Sequence, residues 1–425
     1  MHIIQYIAIG IITSFYFFPI GFWFLPESVN SKMILAILGA FLFCFKNLRL
    51  DQTNISKSLF GAILIACTFS MIGFISVDLN YTSDYSYATY LISFGVWLAG
   101  AYSVCFVISA VHGNASFKII TFYLAAVCFI QCVLALMIDN IPSIQMFIDT
   151  YVMQGQDFII EVDRLYGIGA ALDPAGVRFS IVLIMIVGLL SNDKKVRGSR
   201  IQIVLLLLAF FMIAITGNII SRTTILGVGC AAVYFTMSSG LFKNVILYDS
   251  IKLGLWFGGI LTISVLITLY LYQTDEVFHD HIRFAFEGFF NWAEKGVWRT
   301  DSTDKLNREM WIWPTDLKTW IIGSGLFEGW VYGTDIGYCR FVLYCGLVGF
   351  SVFALLFVYL PITFSRKNRD YQLMFLFLMV LTFLVWIKVS TDIFQIYALF
   401  FCLDRFTETV KEEDYENSLQ YCGNV

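Results

Sequence analysis

Cations open several of the long apolar stretches of this 425-residue chain. Arg178 follows "LDPAG", Arg222 lies in "GNIISRTT", Arg340 closes "TDIGYCR", and Lys388 comes just before "STDIF". Arg164 leads the glycine-rich bend "RLYGIGAALDPAG" ahead of one such stretch. A guanidinium binds phosphate through two parallel hydrogen bonds, and a helix N-terminus offers the same anion free N–H groups and a positive dipole end. Without an anion, each cation placed there opposes the dipole at a cost of about 0.3–1 kcal/mol. A shared pyrophosphate is the economical explanation for Arg178, Arg222 and Arg340, with Arg164 joining from the bend.

Each residue also has an ordinary role open to it. Arg178 has potential partners in Asp173 and Glu161, and Lys32 and Lys388 could reach an interface along their alkyl stems. Gly167 and Gly169 would let backbone approach a ligand closely, or simply make a turn. "DP" at 173–174 reads as a helix N-cap followed by proline at the first helical position, which gives Asp173 a structural role.

The elements that must position these residues are membrane helices. The sequence is 59% hydrophobic and 14% charged, more apolar surface than a soluble fold of this length can hide. A net charge of −4 gives no footprint for nucleic acid. The cysteines lie mostly inside apolar runs and read as buried free thiols, with no metal-ligand spacing. The first apolar run is too long for a signal peptide and lacks a cleavage site, so it reads as a retained span.

Counting stretches of roughly 20 apolar residues predicts an all-α polytopic membrane protein with about 12 transmembrane helices. They fall near 3–25, 33–45, 58–77, 87–110, 117–138, 176–190, 201–216, 223–242, 251–272, 339–362, 371–387 and 390–403. The basic loops "KNLRLDQTNISK", "SNDKKVRGSR" and "SRKNRD" alternate as cytoplasmic loops, and cation-free "DLNYTSDYS" belongs outside. Both termini then fall in the cytoplasm, with 404–425 as a solvated acidic tail. The chain forms a single membrane domain, 1–425, with two long outer segments, 139–175 and 273–338. The second is rich in tryptophan. Within it Ile282, Ala285, Phe286, Phe289, Phe290 and Ala293 oppose Arg283, Glu287, Asn291 and Glu294, the pattern of an amphipathic helix.

Four stretches together resemble the bacterial O-antigen polymerases, relatives of the O-antigen ligases. "RLYGIGAALDPAG" resembles the arginine-led periplasmic loop before a helix, and "GNIISRTTILGVG" the "SR" opening of a central span. "REMWIWPTDLKTWIIGSGLFEG" is similar to the Arg-x-x-Trp run that leads to a Gly-x-Gly turn. "DIGYCRFVLYCGLVG" resembles the segment that in ligases opens with His-Asn and closes with Gly-x-x-Gly. The likeness covers most of the chain from about residue 160 onward.

The resemblance implies a glycosyltransferase C-like bundle in the bacterial inner membrane, with its active site facing the periplasm. It implies metal-independent, inverting transfer from an undecaprenyl-pyrophosphate donor to the non-reducing sugar of a second lipid-linked unit. Counting back from Gly346 and Gly349 places Asp335 where ligases have their histidine, so Asp335 is the implied base and Glu328 the second choice. Arg164, Arg178, Arg222 and Arg340 would hold the pyrophosphate, with Lys388 and Trp330 as further contacts. No cofactor is implied; partners are membrane lipid, a chain-length regulator protein and a flippase. The rival readings are a ligase using the same donor, a lipid-linked sugar transporter, and last a structural membrane partner.

Overall fold

In hydrocarbon every backbone N–H and C=O must find a partner within the protein, so long apolar segments fold as helices. The computed structural model describes residues 2–50, 55–155, 158–159, 164–238 and 248–403. The tail, Cys422 and Glu161 lie outside the described residues.

The principal helices are α1 (His2–Phe17), α2 (Ser31–Leu50), α3 (Lys57–Leu79), α4 (Tyr90–His112), α5 (Phe117–Asn140), α6 (Pro142–Tyr151), α7 (Leu172–Asn192), α8 (Arg200–Ile220), α9 (Thr224–Ser238) and α10 (Tyr248–Thr274). Four short helices follow: α11 (Glu276–Ala285), α12 (Glu287–Lys295), α13 (Asp301–Glu309) and α14 (Leu317–Ile321). The chain then runs through α15 (Gly337–Lys367), α16 (Gln372–Val385) and α17 (Phe394–Leu403). Among the described residues seven helices are long and apolar enough to cross a membrane: Lys57–Leu79, Tyr90–His112, Phe117–Asn140, Leu172–Asn192, Arg200–Ile220, Gly254–Thr274 and Gly337–Lys367. Ile3–Phe17, Thr224–Ser238 and Phe394–Leu403 are apolar but shorter. The expected all-α membrane architecture is therefore present at this coarser level.

Several boundaries differ from expectation. The first helix stops at Phe17 rather than near 25, because Phe18 precedes Pro19 and such a residue is pushed out of helical geometry. The chain then forms a short strand, Gly21–Phe22, antiparallel to Val152–Met153. This pairing ties the end of α1 to the segment 139–175. In the segment 273–338 the predicted single amphipathic helix is two, broken at Phe286. Ile282 and Ala285 are buried as expected, but Phe289 is exposed.

α7 forms the axis of the bundle. Every residue from Phe179 to Leu190 is buried, with α5, α8, α9 and α16 packed around it. At the opposite extreme, Ile260 is the only buried side chain between 254 and 274 in α10. That helix stands at the margin, packed on α8 and α11.

α15 is broken at Gly346, whose backbone (φ 66°, ψ −178°) belongs to the left-handed half of conformational space. The break frees carbonyls in mid-helix, and the turn Gly323–Ser324–Gly325 satisfies them. Ser324 N donates to Leu343 O (2.7 Å) and Gly325 N to Tyr344 O (2.9 Å), while Ser76 Oγ donates to Tyr344 O at 2.7 Å. A Cβ on Gly346 would lie 2.2 Å from Ile321 O, and one on Gly323 2.1 Å from Tyr344 O. The Gly-x-Gly turn and the Gly-x-x-Gly segment read from the sequence are thus two halves of one joint.

Candidate functional site

Arg164 is held by a bend that Gln131 of α5 clamps from below. Gln131 Oε1 accepts Ile168 N (2.8 Å) and its Nε2 donates to Ile168 O (2.9 Å). Gly167 N donates across the bend to Ala170 O at 2.8 Å. The chain enters α7 at Leu172, so Asp173 is not an N-cap but the second residue of the helix, and Ala171 holds the capping position. That frees the Asp173 carboxylate for tertiary bonds. It accepts the hydroxyls of Ser221 (3.0 Å) and Thr223, and the ammonium of Lys388 (3.0 Å). Lys388 also donates to Thr223 Oγ1 (2.9 Å). One carboxylate thereby joins α7, the α8–α9 corner and the segment between α16 and α17.

Arg222 sits in the same corner and faces the segment 273–338. It forms an ion pair with Glu287 at the start of α12, and its Nη1 lies 3.4 Å from Ser302 Oγ. Its guanidinium lies 3.9 Å from the centre of the Phe284 ring, and that of Arg164 lies 4.0 Å from the same ring. Phe284, near the end of α11, is therefore shared by two arginines through cation–π contact. Burial and the neighbouring Arg222 both lower the pKa of Arg164, opposed by Asp173. Beyond Arg164, His281 Nε2 lies 3.5 Å from Asp139.

One turn into α7, Arg178 lines a cavity of about 70 Å³ with Trp97, Pro174, Thr391, Asp392 and Gln395. Its Nε is buried and has no hydrogen-bond partner among the described residues. Asp392 accepts Phe394 N (2.8 Å) and lies within electrostatic reach of both Arg178 and Lys32. Lys32 lies over the Trp97 ring at 4.3 Å. Of the two lysines, Lys388 is bonded to Asp173 and Thr223, and Lys32 is half-buried beside Trp97. Of the two partners expected for Arg178, Asp173 is engaged by Lys388, and Glu161 lies outside the described residues.

Arg340 lies apart from these groups, and the candidate carboxylates are with it. Its Nη2 donates to Phe327 O (2.6 Å) and its guanidinium packs on the Phe327 ring at 3.9 Å. Asp335 accepts Trp330 Nε1 (3.2 Å), and Glu328 accepts the Ser86 hydroxyl (2.9 Å). Asp84, which nothing in the sequence singled out, organises this corner by accepting the amides of Phe327 and Glu328 (2.6 Å to the latter). Burial acts to raise the Asp84 pKa, but the Ser86 hydroxyl and the Glu328 and Phe327 amides together hold it below its usual value. Tyr87 stands between the two groups, within electrostatic reach of both Arg340 and Asp392, and its hydroxyl donates to Ser390 O (3.1 Å).

Two clusters result. The first gathers Arg164, Arg222 and Lys388 against Asp173 and Glu287, with Asp139 bordering the Arg164 pocket, and beside it at the start of α7 Arg178 and Lys32 face Asp392. The second holds Arg340 with Asp84, Glu328, Asp335 and Trp330. Lys32, Asp392, Phe284, Glu287 and Asp84 are the members that sequence reasoning passed over as participants. Asp392 had a signal: it stands in the same "STDIF" that followed Lys388. The chain matches no known protein family, no curated protein and no solved structure.

Proposed function

We propose that this chain is a polysaccharide polymerase of the bacterial inner membrane, with about 12 membrane-crossing segments, both termini in the cytoplasm and its site at the periplasmic face. It joins repeat units carried on undecaprenyl pyrophosphate. The observation that carries this reading is the convergence of Arg164 and Arg222 on one ring beside the start of α7, where the buried Nε of Arg178 also lacks a hydrogen-bond partner among the described residues. A pyrophosphate diester carries one negative charge on each phosphorus, and guanidinium groups bind such oxygens through paired hydrogen bonds. Uncompensated cations among membrane helices are costly, and their grouping at one end of the bundle favours an anionic substrate over structural use.

In the proposed reaction a hydroxyl oxygen of the acceptor sugar attacks the anomeric carbon of the donor. The bond from that carbon to the pyrophosphate oxygen breaks, with inversion, and undecaprenyl pyrophosphate leaves. The hydroxyl proton passes to Asp335, or to Glu328 in its place. Arg164, Arg222, Arg178 and Lys388 stabilise charge growing on the leaving group. Arg340 stands on the acceptor side, where its Phe327 contact and the nearby Trp330 offer aromatic faces to a sugar ring. A chain-length regulator protein and a flippase enter this reading through the resemblance alone.

The test is reconstitution of the purified chain with a lipid-linked repeat unit, followed by separation of the products by length. Wild type should give a ladder. Arg222→Ala should lower the rate by about 10²–10³-fold and Asp335→Asn by about 10²–10⁴-fold. Full activity in Asp335→Asn removes that base; full activity in both Arg164→Ala and Arg222→Ala removes the anion seat and the reading with it. Single-unit transfer to a different acceptor, with no ladder, means a ligase.

A further inference from the structure

A further cavity has no member of either cluster in its lining. It is a cleft of about 600 Å³ between α2, α3, α4 and α17, within the size range of small-molecule sites. Its floor is made of small residues, Gly39 and Ala40 of α2 with Gly95 and Ala99 of α4. The two helices meet almost backbone to backbone there, since a Cβ on Gly39 would fall 1.8 Å from Ala99 O. A Cβ on Gly95, by contrast, meets nothing within 4 Å, so that glycine opens the cleft rather than closing a contact.

The charged end of this lining lies at the start of α3, where Ser56 and Lys57 border the cleft. Ser56 caps the helix by accepting Leu59 N (3.2 Å), and its carbonyl accepts Phe60 N (3.0 Å). The N–H groups of Lys57 and Ser58 belong to the first turn, where no intrahelical acceptor exists. A helix of 23 residues is roughly 34 Å long, which places this end at a boundary of the bilayer. A largely apolar cleft bordered at one end by an exposed lysine and a helix N-terminus is the complement of an anionic amphiphile.

We propose that this cleft is a binding site for one anionic phospholipid, its acyl chain along Gly39, Gly95 and Ala99 and its phosphate at Lys57 and the first turn of α3. The site is independent of the polymerase reading. It is tested by native mass spectrometry of the full chain in detergent, incubated with equal amounts of phosphatidylglycerol and phosphatidylcholine of matched chains, and separately with undecaprenyl phosphate. Wild type should retain one phosphatidylglycerol in preference to phosphatidylcholine. Gly95→Leu builds into the open slot, and removing a helix glycine favours folding; it should abolish retention with no loss of thermal stability. Lys57→Gln should keep a bound lipid and reduce the preference for phosphatidylglycerol about fivefold. Equal retention of the two phospholipids by wild type overturns the proposal. Undiminished retention by Gly95→Leu, an unchanged preference in Lys57→Gln, or replacement of phosphatidylglycerol by undecaprenyl phosphate does so too.

Discussion

Asp173 and Lys388 are 215 positions apart in sequence, yet the carboxylate is bonded to the ammonium and to two hydroxyls at once. Removing either partner strands the other among helix ends, which costs more than the pair itself contributes. Asp173→Asn and Lys388→Met should each lower unfolding stability by about 1–3 kcal/mol. The double variant should recover part of that loss, and a double-mutant cycle in detergent measures the recovery. Asp84 offers a second test, through pH. Its folded pKa is depressed, so its contribution is present above the unfolded value near 3.9 and lost as pH falls through the folded value. Asp84→Asn should therefore be less stable than wild type by about 1–2 kcal/mol at pH 7. The gap should narrow below about pH 4; a gap constant with pH would mean that the carboxylate charge contributes nothing.

Among the elements, the α11–α12 corner places Phe284 and Glu287 on Arg164 and Arg222. A pyrophosphate seeking those arginines must compete with the protein's own carboxylate and ring. Glu287→Gln removes the competing charge while keeping the shape, and should tighten binding of a short-chain polyprenyl pyrophosphate severalfold by isothermal titration. Weaker binding would make Glu287 part of the seat instead of its occupant. The joint in α15 gives a prediction of the opposite kind. Gly346→Ala adds left-handed strain of about 1–2 kcal/mol and drives a methyl against Ile321 O, so the variant should lose thermal stability or fail to accumulate. Unlike a proline kink, this break could not be read from composition. Gly346 looks like any helix glycine until the carbonyls of Leu343 and Tyr344 are seen donated to by a turn twenty residues upstream.

For the whole molecule, the apolar runs were legible because hydrocarbon leaves a backbone no choice but to bond to itself. Their ends were less so: Pro19 shortened the first helix, and the corner at Phe286 split the amphipathic one. The candidate site was half legible. Arg178, Arg222 and Lys388 were visible by one rule, as cations opening apolar stretches, and Arg164 as the lead of a glycine-rich bend. The fold joins Arg164 to Arg222 at the Phe284 ring and Lys388 to Asp173, while Arg178 faces Asp392. Arg340 obeyed the same rule but was drawn to Asp84 and Phe327. Long-range pairing of that kind leaves no trace in local spacing. The overall orientation can be tested by single cysteines at Tyr81, which is 97% exposed, and at Arg369. In spheroplasts an impermeant maleimide should label the first and not the second; the reverse result inverts the topology.

The marginal position of α10 has a mechanical consequence. The chain runs from this lipid-bathed post straight into α11, which carries Phe284. A post wetted by acyl chains along most of its length must tilt when the hydrophobic slab around it thins or swells. Its inclination is then transmitted to the aromatic wedge at its tip. Bilayer thickness should thus tune how firmly that wedge seats, so that, on the proposed function, turnover measured in vesicles of graded acyl length passes through an optimum.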